Sequence, residues 1–292
     1  VARREGFDED LVHDGLIHVA TNEAQLSRAK HHVAELREQG WADDDVFELT
    51  PAELSERVNV AGAQGGYWTP HCARVHPAKY TRGLASVVEG MGVTIYEKTT
   101  AHRVDAHRVI TDRGVVTAKF ILEALEGYTL TLKGKRRKYL PMNSSMIITE
   151  PLPADMREEV GWAGGELVGD MAHSFAYMHR TQDGRIAMGG RAVPYNFNSS
   201  FDRWGRTTPS AIPALQRRLR QIFPALEGIE FTQSWSGVLG APRDWCAAVN
   251  YDRQAGILSA GGYVGHGLSG TNLAARTVRD LILGEDTKLT RL

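Results

Sequence analysis

Gly256-Ile-Leu-Ser-Ala-Gly-Gly-Tyr-Val-Gly-His-Gly-Leu-Ser-Gly270 runs directly into Thr271-Asn-Leu-Ala-Ala-Arg-Thr-Val-Arg-Asp-Leu-Ile-Leu283. The apolar run from Ile257 to Ala260 reads as a buried strand. Six glycines between Gly256 and Gly270 make a loop whose backbone can come close to a ligand. Leu273, Thr277, Val278, Leu281 and Ile282 then recur at helical spacing, and Gly284 supplies the stop. Strand, glycine loop and helix N-terminus together make a phosphate-cradling geometry, in which free N–H groups and a positive dipole end face an anion. Gly265-His-Gly267-Leu-Ser-Gly270 matches GxGxxG, but it stands at the C-terminal end. No second strand with an acidic residue for a ribose follows it. The stretch therefore reads as the closing loop of a dinucleotide-binding unit rather than its opening fingerprint.

The bulk numbers narrow the field. The 292 residues are 42% hydrophobic and 24% charged, enough for one large or two small globular domains. A net charge of −1 gives no reason to expect nucleic acid or an anionic membrane as partner. No apolar run approaches the roughly 18–20 residues of a membrane helix, and no signal peptide is visible. Two cysteines, Cys72 and Cys246, are too few for a disulfide framework, so a cytoplasmic location is expected. Lys133, Lys135, Arg136, Arg137 and Lys138 form a basic run expected to be a solvated loop. His71, Cys72 and His76 lack a fourth ligand at zinc spacing, so no metal site is expected.

Working towards the N-terminus, Phe231, Gln233 and Trp235 alternate along a strand over 230–238. Pro209 opens an amphipathic helix carrying Ile212, Leu215, Leu219 and Ile222 on one face. Residues 174–181 alternate, turn at Asp183-Gly184 and return over 185–189, and 146–149 reads as another strand. A hairpin over 108–117 precedes a buried strand over 119–124, in which Glu123 is out of place because an unpaired buried carboxylate is costly. Residues 93–97 read as a strand, after a helix from Pro77 with Tyr80, Leu84, Val87, Val88 and Met91 inward. Thr50-Pro-Ala-Glu53 is a capping box with Pro at the first helical position. Asn22 caps a helix to about Gln39, after a strand at 16–20.

Helix–strand alternation at both ends around a strand-rich middle predicts two folds interleaved in sequence, an α/β part and an α+β part built on an antiparallel sheet. The expected division is 1–66 and 139–245 for the antiparallel-sheet part, and 67–138 and 246–292 for an incomplete Rossmann-like part.

Four blocks together resemble the FAD-dependent oxidoreductases of the D-amino-acid oxidase, glycine oxidase and sarcosine oxidase superfamily. They are Val75-His-Pro-Ala-Lys79, Glu126-Gly-Tyr-Thr129, Trp235-Ser-Gly-Val-Leu-Gly-Ala-Pro-Arg-Asp-Trp245 and Gly261-Gly-Tyr-Val-Gly-His-Gly-Leu268. Their order and spread cover nearly the whole chain, and they look most like the γ-glutamylputrescine-type amine oxidoreductase branch. The resemblance implies FAD as cofactor. It implies that Gly261, Gly262, Tyr263, Gly265, His266, Gly267 and Leu268 lie against the flavin ring and ribityl chain, and that the backbone of Val104 contacts the adenine. It also implies hydride transfer from an amine C–H to flavin N5, giving an imine. His266 is the flavin-side candidate; Tyr177 and His179 are substrate-side candidates, and Arg191 and Arg243 are candidates for a carboxylate tail.

Three departures from the family pattern qualify this. The family opens with a βαβ unit of about 30 residues carrying GxGxxG for the FAD pyrophosphate, and the N-terminal residues here read as substrate domain instead. Stable FAD binding is therefore expected only if an N-terminal segment or a second chain supplies that unit; the alternative is a non-catalytic, cofactor-free remnant that binds a ligand or partner. Leu239 stands where amino-acid-oxidising members often carry an arginine, and Ser269 where sarcosine oxidases carry a lysine. Both point away from an α-amino acid and towards an amine, or a substrate whose carboxylate is held elsewhere. Cys246 lies near the place where some sarcosine oxidases attach flavin, and reads as an ordinary small residue.

Overall fold

A computed structural model describes all residues except 9, 191–194, 203 and 292. The elements in chain order begin with α1 (Ala2–Glu5), β1 (Leu16–Ala20), α2 (Glu23–Glu38), β2 (Phe47–Leu49), α3 (Pro51–Ser55), β3 (Gly65–Thr69) and α4 (Pro77–Gly90). Next come β4 (Ala101–Asp105), β5 (Arg108–Thr111), β6 (Val115–Thr117), β7 (Ile121–Glu123), β8 (Leu140–Thr149) and α5 (Ala154–Val160). The remainder are β9 (Leu167–Asp170), β10 (Ala176–Arg180), β11 (Ile186–Gly190), α6 (Ala211–Ile222), β12 (Phe231–Ala241), β13 (Ala248–Asp252), β14 (Ile257–Gly261) and α7 (Gly267–Leu283).

The chain forms two compact units that alternate along the sequence. One comprises Val1–Ile95, Ser145–Val193 and Arg206–Ser236; the other comprises Tyr96–Ser144, Pro194–Gly205 and Gly237–Leu292. The breaks fall at other positions than the sequence suggested. Residues 67–95 group with the first unit: β3 pairs with β1 and β2, Arg74 bridges to Val12, and Tyr80 of α4 meets Phe7.

The first unit is built on the eight-stranded sheet β12-β8-β11-β10-β9-β1-β3-β2. Alternation along each strand sends one set of side chains to a common core. Ile17, Val19, Ile147, Val168, Ala176, Met178, Ile186 and Met188 are buried on that face. Leu54 of α3, Val160 of α5 and Leu215, Leu219 and Ile222 of α6 pack onto them. The helix over Pro209 thus buries the stripe its spacing predicted. On the other face α2 covers only the β1–β3 end, with Ala29 and Val33 against Val46 and Tyr67. The caps agree with the sequence: Asn22 accepts from Gln25 N, and the Thr50–Glu53 box is complete.

Two expectations fail here. Residues 93–97 form no strand, and Val93, Ile95 and Tyr96 are exposed, Tyr96 by 72%. Apolar alternation makes a strand only where a ladder partner exists, and no described residue pairs with this segment. Helix α4 forms as predicted, capped by His76 Nδ1, yet none of its residues is buried. Phe7 lies against Tyr80 at 5.3 Å, while Leu84 and Met91 stay open to solvent.

The second unit holds two three-stranded sheets, β13-β14-β7 and β4-β5-β6. β14 runs parallel to β7 and antiparallel to β13. Helix α7 returns over this sheet and buries Ala274 and Val278 against Leu258 and Ala260. β4 extends the predicted hairpin to a three-stranded meander, in which Val104 lies opposite Val109.

Candidate functional site

Each unit carries candidate residues of its own. In the first unit, Ala176 and Met178 point into the core, so Tyr177 and His179 share the opposite face of β10. The register continues this face sideways: Met146 is opposite Gly189, Gly189 opposite Tyr177, Tyr177 opposite Gly169, Gly169 opposite His18, and His18 opposite Tyr67. Both neighbours of Tyr177 are glycines. A Cβ on Gly189 would overlap the Tyr177 ring and Met146 Sδ, so the ring lies over the bare backbone of β11. A Cβ on Gly169 would meet His18 Cε1 at 3.3 Å and Nδ1 at 3.4 Å. The His18 ring stacks on Tyr67 with centroids 4.8 Å apart. Burial drives the pKa of His18 down to about 4, with His32 adding to the effect. Burial likewise holds His179 at about 4, reinforced by Arg74 and His76. Both imidazoles are therefore neutral at pH 7. Arg191 lies outside the described residues.

In the second unit the closing loop leaves β14 at Gly261 and enters α7 at Gly267. His266 is the N-cap residue and makes no side-chain cap, so the first N–H groups of this 17-residue helix have neither an intrahelical nor a capping partner. Gly265 has φ +105°, a conformation that favours glycine, and open space stands where its Cβ and that of Gly267 would be. Gly262 has φ +82° and is closed in by Pro242, where a Cβ would come within 3.0 Å. His266 and Leu268 are exposed. Ser269, in the first turn, turns its hydroxyl back to His266 O at 3.5 Å. Arg243 is exposed in the turn between β12 and β13, as is Cys246. Leu239, Val104 and Tyr263 are half-buried.

Some of the closing loop's N–H groups are already engaged within the chain. Tyr263 N–H donates to Glu126 Oε1 at 3.0 Å, and Gly240 N–H donates to Glu126 Oε2 at 3.0 Å. Glu126 occurs in a quoted motif, but its role was missed. Its partners are 114 and 137 residues away, and no local spacing reports such a pairing. Tyr139 stands beside it, with its hydroxyl 3.1 Å from where a Cβ on Gly261 would be. Burial, and then the Glu126 carboxylate, hold the phenols of Tyr139 and Tyr263 above the usual tyrosine value.

The basic run is not simply solvated. Lys135 Nζ pairs with the Glu123 carboxylate, and Lys138 Nζ donates to Ser259 Oγ at 3.1 Å. Glu123 is 5% exposed and lies in register with Ser259 of β14, so the residue that looked out of place is buried and paired. Burial is also the main cause that lowers the pKa of Lys138. His71 pairs with Asp45 at 2.5 Å, and His76 serves as the cap of α4.

The closing loop fits a flavin on its own geometry: unoccupied space over Gly265 and Gly267, and an uncapped helix end facing it. Comparison with known proteins gives the family. The profile of the family described as FAD dependent oxidoreductase matches residues 1–281. The chain is 30% identical over 227 residues to a "Probable oxidoreductase OrdL" of Rhizobium meliloti (strain 1021), covering 75% of this chain and 49% of that protein. It is 25% identical over 300 residues to the gamma-glutamylputrescine oxidoreductase of Escherichia coli (strain K12), covering 97% of this chain and 64% of that protein. The chain thus spans about half to two thirds of the length of these curated relatives. Among solved structures, glycine oxidase from Geobacillus kaustophilus superposes with a TM-score of 0.81 at 21% identity, over 98% of this chain and 75% of that one. The likeness shows the same fold. No helix among the described residues is long and apolar enough to cross a membrane.

Proposed function

The chain belongs to the family of FAD-dependent oxidoreductases, and from that membership we propose that it forms the flavin-ring and substrate part of an amine oxidoreductase. The substrate is a small amine whose C–N bond is oxidised to an imine. The pyrophosphate end of FAD is held by a dinucleotide-binding segment that this sequence does not contain, either preceding it or supplied by a second chain. The observation that carries the reading is the closing loop: open backbone over Gly265 and Gly267, ending in the uncapped first turn of α7.

When bound, FAD supplies the two-electron acceptor for the amine C–H. This chain supplies orientation and charge. The α7 N-terminus faces its ligand with partial positive charge, which favours electron density arriving there. Tyr177, seated between two glycines, offers a hydroxyl on an otherwise low surface and orients the amine. His179 is neutral at pH 7, so it takes part as a hydrogen-bonding imidazole and not as a cation. The substrate reacts as the free amine, so no strong base is required of the protein. Leu239 offers no charge to a carboxylate on the reacting carbon; Arg243 and Arg191 are the candidates for an acid group further along the molecule.

The test is an absorbance and fluorescence titration of the purified chain with FAD, alone and with the separately produced dinucleotide-binding segment of a relative. Bound-flavin bands and their bleaching by an amine are the expected result. A chain that takes up no flavin in either mixture supports the cofactor-free ligand- or partner-binding reading instead. In the flavin-loaded protein, Arg243→Ala raises KM for an acidic amine; an unchanged KM removes Arg243 from the site.

A further inference from the structure

Glu126 joins three elements of the second unit through one carboxylate. Its backbone is left-handed, with φ +47°, a conformation that is strained for a non-glycine residue and persists where the surroundings demand it. That backbone abuts the end of β12 so closely that only glycine fits opposite. A Cβ on Gly240 would meet Glu126 C and Gly127 N at 3.0 Å, and a Cβ on Gly127 would meet Val238 at 2.8 Å. From this position the side chain reaches two peptide N–H groups, one on each oxygen: Gly240 of β12 and Tyr263 of the closing loop, both at 3.0 Å. Oε1 also stands 3.5 Å from where a Cβ on Gly261 would be, so the carboxylate lies along the root of the loop. Two N–H donors on opposite oxygens of one carboxylate form a charge-assisted bridge, stronger than the neutral contacts around it.

We propose that Glu126 is the positioning residue of the closing loop: its carboxylate ties the Tyr263 peptide to the Gly240 peptide, and so fixes which N–H groups remain open for the flavin. With Tyr263 N–H spent on this bridge, the open donors are those beyond it, at the start of α7. The inference rests on the flavin reading of the loop for its purpose, but not for the bridge itself.

Hydrogen–deuterium exchange of the chain without cofactor tests the bridge, in wild type, Glu126→Gln and Glu126→Ala. Loss of a charge-assisted hydrogen bond is expected to speed local exchange about tenfold. In Glu126→Ala this appears in peptides covering Gly240 and Tyr263, while β14 and the second half of α7 keep wild-type protection. Glu126→Gln keeps one accepting oxygen and turns an NH2 on the other donor, so one of the two peptides is affected and not both. Unchanged protection in Glu126→Ala overturns the proposal. So does acceleration spread over β14 and all of α7, which would make Glu126 a residue of general stability only. An FAD titration runs in parallel, with weakening of about tenfold expected in Glu126→Ala. Equal FAD affinity in wild type and Glu126→Ala overturns the positioning role. If the wild type takes up no FAD, the flavin reading fails, and the exchange result still decides the bridge.

Discussion

Replacing Glu123 by leucine should destabilise the protein, and replacing Lys135 as well should restore most of the loss. Leucine is what a buried strand between Leu122 and Ala124 would ordinarily carry, so the single change looks benign from the sequence. The structure gives the opposite sign. The Glu123 side chain is 3% exposed and its partner Lys135 is 28% exposed. Removing one member of a fully buried pair costs about 3–5 kcal/mol, because the other charge is left desolvated. Lys135 keeps over a quarter of its surface in water, so part of that penalty is relieved and about 2–3 kcal/mol is expected. The remaining ammonium also sits near Lys138, with which it shares the Glu123 charge. In Glu123→Leu/Lys135→Met both charges are gone and the strand is apolar, so the double variant should lie within about 1 kcal/mol of wild type. The assay is urea unfolding of the four proteins of the cycle, followed by far-ultraviolet circular dichroism. A Glu123→Leu protein as stable as wild type would refute the pairing, as would a double variant no better than the single one.

Three further outcomes follow from particular contacts. Gly189→Ala should lose about 1–3 kcal/mol by overpacking, because its new Cβ overlaps the Tyr177 ring; in a Tyr177→Ala background the same change should cost less than half as much, and equal costs in both backgrounds would show that the ring is not the obstacle. Gly240→Ala should disturb Glu126 and lose a similar amount, since the added Cβ meets backbone atoms at 3.0 Å; full thermal stability would contradict the packing described. His18 and His179 have folded pKa values near 4, below the ordinary 6.5. The unfolded chain therefore binds more protons between those pH values, and stability should rise from pH 4 to about 6.5 and then level off. Each histidine contributes about 1–3 kcal/mol to that rise. Unfolding free energies at pH 4.5 and 7 for wild type, His18→Asn and His179→Asn check this, and a slope unaltered in both variants would sink it.

The local elements were legible because their causes are local. Asn22, Thr50–Glu53 and the stripe Leu215, Leu219 and Ile222 announce a cap, a capping box and a buried face within one or two turns of chain. The strand–glycine–helix order at 256–283 announced the closing loop for the same reason, and membership of the flavin family followed from motifs in that order. Where the partner is distant, sequence reading gave the wrong sign or no sign. Residues 93–97 have the apolar pattern of a strand and lack a ladder partner among the described residues. The stripe of α4 has helical spacing, yet none of the helix's residues is buried. Lys135 and Lys138 look like solvent-facing charges until Glu123 and Ser259 are brought under them. Glu126 has no partner legible in its own motif, and its partners are the N–H groups of Gly240 and Tyr263. Hydrogen-bond geometry along one turn or one strand is encoded by neighbours in sequence. The compensation of Glu123 by Lys135 spans 12 positions, the closing of a loop on Glu126 spans 114 and 137, and only the folded chain sets those distances.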